Sequence, residues 1–231
     1  MFSDNLDNDL EIITYIHDEI IDASGGVKGI HNEGLVRSAL ARPLQSAGGT
    51  DAYATTFEKA AALLSSIANN HGFRDGNKRT AMAAASYYLD LNDIDLDITN
   101  EEYETFMLHV VNDKPNVDEI SEWLNNHSSK IPATSWKLLD AYKMNQAHAD
   151  TFHIPSPNDI DELEVGSSVK LGFDITENIE GPRSERMWVL VIELNGNKFT
   201  GQLDNDPAII RGLKYRDTVD FTANNILSIM E

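Results

Sequence analysis

His71-Gly72-Phe73-Arg74-Asp75-Gly76-Asn77-Lys78-Arg79-Thr80 is the stretch on which the reading of this chain turns. It holds an imidazole, a carboxylate, three cations, two glycines and an amide. A loop built only to join helices has no need of that mixture. Before it, the apolar run with Ala60-Ala61-Ala62-Leu63-Leu64 predicts a helix over about Thr56 to Asn69. After it, an Ala-rich helix is predicted from about Asn77 to Asn92. The stretch therefore opens a helix, where unpaired backbone N–H groups and a partial positive charge favour anions. Gly76 removes a Cβ that would keep a phosphate from the backbone, and Lys78 and Arg79 add full charges. Asp75 is a hard oxygen ligand, suited to Mg²⁺ shared with a di- or triphosphate. His71 can take a proton from a hydroxyl near neutral pH. Together these parts point to phosphoryl or nucleotidyl transfer by positioning and charge stabilisation.

The rest of the composition sharpens that reading. The chain has 231 residues with 38 acids, 18 bases and a net charge of −20. Such a surface repels nucleic-acid phosphates, so no nucleic-acid partner is expected. Arg74, Lys78 and Arg79 place three of those 18 bases within six positions, which calls for an anion. The absence of cysteine excludes disulfides and thiolate metal sites. No apolar run is long enough for a membrane helix, and Met1-Phe2-Ser3-Asp4 does not read as a signal peptide. A cytoplasmic protein with no membrane partner is the expectation.

Working outward, Leu6, Leu10, Ile13, Ile16, Ile20 and Ile21 recur at helical spacing up to Gly25-Gly26. A shorter helix fits Glu33 to Ala41, ahead of Pro43 and a loop centred on Gly48-Gly49. Two more fit Asn100 to Asn112 and Val117 to Asn125. Ile131-Pro132 breaks the pattern, and an amphipathic piece fits Ser135 to His148. From Phe152 the periodicity becomes strand-like, in Val169 to Phe173, Met187 to Ile192 and Lys198 to Leu203. Asn195-Gly196 is a type I′ hairpin signal, and Val219 to Phe221 and Ile226 to Ile229 supply further strands. The organisation expected is a helical domain over 1–130, a linker with a helix over 131–151, and a small β-rich domain over 152–231.

The string His71 to Arg79 resembles the core motif of the Fic/Doc family, His-x-Phe-x-(Asp/Glu/Asn)-(Gly/Ala)-Asn-(Gly/Lys)-Arg. Lys78, followed by Thr80-Ala81, looks like the Doc (death-on-curing) branch. His17-Asp18-Glu19, Gly25-Gly26-Val27-Lys28-Gly29-Ile30, Glu33-Gly34-Leu35 and Ser38-Ala39-Leu40-Ala41-Arg42-Pro43 resemble the first half of Doc-type domains. The resemblance covers about residues 5 to 128 and implies an all-α helical bundle, followed here by the β-rich (α+β) domain.

What the resemblance implies is specific. His71 would be the general base, Phe73 would anchor the loop and Asp75 would bind Mg²⁺. Gly76 and Asn77 would shape the anion pocket, and Lys78 and Arg79 would act in catalysis by holding phosphates. The Doc toxin of this family phosphorylates a threonine of elongation factor Tu, whereas most Fic proteins transfer AMP. The implied function is a toxin-type kinase using ATP and Mg²⁺ on a protein hydroxyl of Ser, Thr or Tyr, a translation factor being one such substrate. An antitoxin would accompany it in a bacterial toxin–antitoxin system. AMP transfer on the same scaffold, and a non-catalytic partner-binding protein, are the alternatives. Lys78 fills space that a glycine would leave to phosphates, and Met82 stands where AMP-transferring members carry a second arginine; both favour phosphorylation. Gly72 replaces a common proline and should leave the loop start less rigid. Ala83 departs from the polar residue of the best-known Doc protein.

Other signals are weaker. A Walker A loop is rejected because the lysine does not directly follow the second glycine and no strand precedes it. Asp93, Asp95, Asp97 and Glu104 have Ca²⁺-loop spacing, but Ile98 stands where the turn glycine belongs. His109, His127, His148 and His153 lack metal-ligand spacing. Thr176-Glu177-Asn178-Ile179-Glu180-Gly181 matches an inhibitory Fic motif, yet lies between predicted strands and lacks its arginine partner. The C-terminal part resembles a YegJ-like bacterial domain family through Phe152-His153-Ile154-Pro155-Ser156, Glu185-Arg186-Met187-Trp188-Val189 and Phe199 to Pro207. Partner recognition or autoregulation is the expectation for it.

Overall fold

The structure, a computed structural model, describes residues 5–177 and 180–230 and divides into two compact units, Met1–Ile131 and Pro132–Glu231. In the first unit, α1 (Leu6–Ser24) is capped by Asn5 and buries Ile13, His17 and Ile21 along one face. Helix α2 (Glu33–Ala41), capped by Asn32, follows, and a 3₁₀ turn (Arg42–Leu44) leads out of it. A two-residue-per-strand hairpin, β1 (Ser46–Ala47) with β2 (Thr50–Asp51), occupies the segment expected as a loop. Arg42 binds the Tyr53 hydroxyl at 3.0 Å and the Ser66 hydroxyl at 2.9 Å, tying that segment to the next helix.

Helix α3 (Thr56–Asn70) is the centre of the unit. A reciprocal cap between Thr55 and Glu58 starts it. Ala60, Ala61, Ala62, Leu63 and Leu64 are all fully buried, so it is covered nearly all round. It packs against α2, α4 (Asn77–Asp90), α5 (Asn100–Asn112) and α6 (Val117–Asn126). Short alanines at Ala81, Ala84 and Ala85 let α4 approach α3 closely. Strand β3 (Ile94–Leu96) pairs antiparallel with β4 (Ser128–Lys130). The Asp93–Asp97 run therefore flanks and includes strand β3 rather than forming an ion loop, and the cap of α5 is Thr99 with Glu102. Sequence periodicity missed this pair because each strand has three residues, too few for alternation to register.

The second unit begins earlier than expected, and the segment expected as a linker belongs to it. Strand β5 (Trp136–Leu138) pairs with β6 (Ser168–Ile175), and α7 (Ala141–Ala147) and the short α8 (Pro157–Asp161) follow it. The sheet is completed by β7 (Ser184–Asn195), β8 (Lys198–Leu203), β9 (Thr218–Thr222) and β10 (Ile226–Ile229), in the order β10-β6-β7-β8-β9. Alternation along β6 to β9 puts Val169, Leu171, Phe173, Met187, Val189, Leu203 and Phe221 into one core. The hairpin turn sits one residue later than expected. Asn195 pairs with Lys198, so Gly196 and Asn197 form the loop, and Gly196 at φ +61° supplies the first central position. The architecture is thus the expected helical unit followed by a sheet-rich one.

Candidate active site

The loop between α3 and α4 is held by backbone contacts from three directions. Phe73 forms an antiparallel bridge with Ile30, and the Arg74 N–H donates to the Gly29 carbonyl at 3.0 Å. The Gly72 carbonyl accepts from His31 and Asn32 N–H at 2.8 and 3.0 Å. Asn77 closes the loop on itself: its Oδ1 accepts from the Phe73 N–H at 3.0 Å and its Nδ2 donates to the Phe73 carbonyl at 2.9 Å. Phe73 is buried in the core of the unit.

Gly72 does not loosen this loop. It is buried, and a Cβ there would lie 2.6 Å from Val36 Cγ2. Glycine is what lets the chain press against α2, and the two bonds to its carbonyl fix it. Gly76 has a further reason beside the one expected. It sits at φ +69° as the N-cap of α4, and a Cβ there would meet Ile21 Cδ1 at 2.9 Å. Its bare backbone serves the turn and the approach of α1.

His71 ends α3 in the left-handed region at φ +53°. A β-unbranched residue other than glycine is uncommon there, and such positions persist only where neighbours enforce them. Its exposed imidazole has no hydrogen-bond partner among the described residues. It lines two adjoining clefts. One, of about 460 Å³, is also lined by Asp75, Gly76, Asn77, Lys78, Arg79 and Tyr103. The other, of about 550 Å³, adds His31 and Phe73 and shares His71, Arg74 and Asn77 with the first.

The charges around His71 fall into two groups. Arg79 is engaged: it donates to the Ser24 hydroxyl, to the Gly25 carbonyl at 2.8 Å, and faces the Asp75 carboxylate at 3.5 Å. It joins the end of α1 to the start of α4 as well as facing the cleft. Lys78 and Arg74 are exposed and have no ion-pair partner among the described residues. Lys28, Arg37 and Lys59 of the same unit pair with acids, whereas Lys114 and Lys130, away from the cleft lining, have no such partner among the described residues. Asp75 also accepts from the Gly76 N–H at 2.6 Å. No group of three or more His, Asp or Glu able to hold a metal occurs among the described residues. A Mg²⁺ at Asp75 would thus have a single protein carboxylate and take its other ligands from phosphate and water, which suits that ion.

All the residues expected in the site, His71, Asp75, Gly76, Asn77, Lys78 and Arg79, line the first cleft. Sequence reasoning missed its opposite wall. Ala68 of α3 and Tyr103 and Val111 of α5 complete the cleft. Burial pushes the Tyr103 phenol above its ordinary pKa, while the Arg79 charge pulls the other way. No local motif marks Tyr103; only the packing of α5 onto α3 brings it there. The inhibitory-motif match at Thr176 to Gly181 includes Asn178 and Ile179, which lie outside the described residues. Its Glu177 carboxylate accepts from the Ser135 N–H at 2.6 Å, within the second unit. Met82 is buried in the first unit's core.

These features define a histidine at the mouth of a cationic helix-start cleft in a helical unit. The family model described as "Fic/DOC family" matches residues 7–89. Over 101 residues the chain is 42% identical to Toxin Doc of Mycolicibacterium smegmatis (strain ATCC 700084 / mc(2)155), covering 43% of this chain and 78% of that protein. The chain belongs to the Fic/DOC family. Residues 137–230 match a second model, "Uncharacterized protein conserved in bacteria (DUF2314)", which fits the expectation of a bacterial domain without settled function.

Proposed function

We propose that this protein is a toxin-type transferase that moves the γ-phosphoryl group of ATP to a protein Ser, Thr or Tyr hydroxyl, with Mg²⁺. The observation that carries the reading is Lys78 at the start of α4, without an ion-pair partner among the described residues and in a cleft shared with His71. A helix start with an uncommitted cation is a place for phosphate. His71 lines both clefts, so it can face a nucleotide in one and a hydroxyl in the other. As the hydroxyl attacks, His71 takes its proton, and Lys78 and Arg79 hold the negative charge on the transferred group. Asp75 would hold Mg²⁺, which when bound offsets charge on the nucleotide's phosphates. The likeness to a protein named Toxin Doc supports a toxin–antitoxin setting with an antitoxin as natural partner, and a translation factor is the target we propose. The buried Met82, in place of a second cleft arginine, favours phosphorylation over AMP transfer.

Mass spectrometry of cellular proteins after induction tests the proposal, comparing wild type with His71→Ala. The expected result is one target gaining the mass of a single phosphoryl group in wild type only. A target gaining the mass of AMP would replace the kinase reading with nucleotidyl transfer. Identical spectra from the two proteins would remove the enzymatic reading.

A further inference from the structure

Helix α1 supplies a residue to the site that lies far outside the loop. His17 is fully buried, and its ring stacks on Phe73 at 4.3 Å with 10° between planes. Its Nε2 lies 3.2 Å from the Asp75 carbonyl, and its Nδ1 lies 2.9 Å from Asp18 Oδ1. Both partners only accept, so each contact is a hydrogen bond only where the facing ring nitrogen carries a proton; with the proton on Nε2 the ring donates to the Asp75 carbonyl. Asp18, whose side chain is 38% exposed, lies against the other end of the ring.

The peptide that His17 holds is the one joining Asp75 to Gly76. Its carbonyl is fixed by His17, and its N–H donates to the Asp75 carboxylate at 2.6 Å. Gly76 has no Cβ and already occupies φ +69°, so sterics alone offer little resistance to this peptide turning over. If it turned, the Gly76 N–H would leave the carboxylate. Gly26 bounds the carboxylate on its other side, where a Cβ would lie 2.6 Å from Asp75 Oδ2. The Asp75 carboxylate is therefore aimed by α1 and the turn after it, through the backbone.

We propose that His17, braced by Asp18, is a positioning residue that latches the Asp75–Gly76 peptide and so sets the carboxylate for a divalent cation beside a nucleotide. This rests on the reading of Asp75 given above. It assigns a role to the His17-Asp18 pair that the site loop does not reveal. Stacking on Phe73 explains why an imidazole serves better than a flexible amine: the ring is located in the core while its nitrogen reaches the loop.

The test uses the full-length protein and three variants. His17→Phe keeps the stack and loses the donor; His17→Gln keeps a donor; Asp18→Ala removes only the brace at a partly exposed position. Mn²⁺ binding in the presence of ADP is followed by electron paramagnetic resonance, and hydrogen exchange of the Gly76 amide by NMR. His17→Phe should weaken Mn²⁺ binding about tenfold or more and speed Gly76 exchange by a similar factor. Asp18→Ala should do both to a smaller degree, and His17→Gln should restore most of the wild-type values. The inference is overturned if folded His17→Phe and Asp18→Ala bind Mn²⁺ and exchange Gly76 as wild type does, or if His17→Gln is as impaired as His17→Phe. These readouts need no turnover. Failure of wild type to bind Mn²⁺ with ADP would instead strike at the assignment of Asp75, and failure to modify any target at the transferase reading.

Discussion

Two polar loops in this molecule look alike in composition and are put to opposite uses. Residues 71–79 of the first unit and residues 204–217 of the second are both rich in Asp, Asn, Gly and basic side chains. In the second loop one amide and two carboxylates bind backbone. Asn205 accepts from the Trp188 N–H at 3.0 Å, Asp206 from Tyr215 at 3.1 Å and Asp217 from Lys214 at 2.9 Å. Glu185 reaches across to accept from Ala208 and Ile209 at 2.6 and 3.1 Å. In the first loop Asn77, Arg79 and one oxygen of Asp75 do that work. His71, Arg74 and Lys78 are left facing clefts. The lesson is that composition marks a loop as structured or functional only ambiguously. What separates them is whether the polar side chains are already satisfied.

The largest expected effect is at His71. His71→Ala should reduce target modification by about 10²–10⁴-fold, the range for loss of a general base. Because the side chain is exposed and unpartnered, stability should change by no more than about 0.5 kcal/mol. Parallel assays of modification and thermal unfolding check both halves. A large drop in stability would mean that His71 belongs with the satisfied polar groups of the second loop.

A matched pair of glycines sharpens the contrast at intermediate size. An added Cβ would lie 2.6 Å from Val36 Cγ2 at Gly72, and 2.3 Å from Val189 Cγ1 at Gly201. Overpacking of this kind costs about 1–3 kcal/mol. Gly72→Ala should lose that stability and also most modification activity, since it shifts His71. Gly201→Ala should lose stability alone, with modification unchanged while the protein stays folded. Denaturant unfolding alongside activity distinguishes them, and equal effects on activity would dissolve the comparison.

How far the sequence carried this picture depends on range. Helix ends in the first unit were legible because each is written locally, as Asn5, Asn32, Thr55 and Thr99 at their caps show. The inner wall of the site was legible because it is one contiguous string. Tyr103, Ser24 and His17 were not, because their places depend on α5 and α1 packing around α3 and α4. Strand β5 was missed for a related reason: it is three residues long and becomes a strand only through pairing with β6. The role of Gly72 came out reversed, because looseness was inferred from residue type while the structure sets Val36 against it.

The smallest expected effect is one that both units share. Backbone N–H groups, that of Thr55 first, hold the Glu58 carboxyl below the ordinary range, and Thr99 does the same for Glu102. In the second unit, Ser135 lowers Glu177 and Ser156 lowers Asp159. A folded-state pKa below the unfolded one stabilises above the unfolded value and loses that stabilisation as pH falls through the folded one. With unfolded carboxyls near about 4, thermal stability should be flat above about pH 5 and decline below it. Glu58→Gln should make the decline shallower. A decline that begins near neutrality would contradict the assignment to these caps.

The central claim is that His71 and Lys78 act together in transferring a phosphoryl group. The most direct measurement incubates purified protein, Mg²⁺ and a cell extract with ATP labelled at either the γ- or the α-phosphate. The account predicts protein label from γ-labelled ATP only, lost in both His71→Ala and Lys78→Ala. Label from α-labelled ATP, or γ-label that survives His71→Ala, would contradict it.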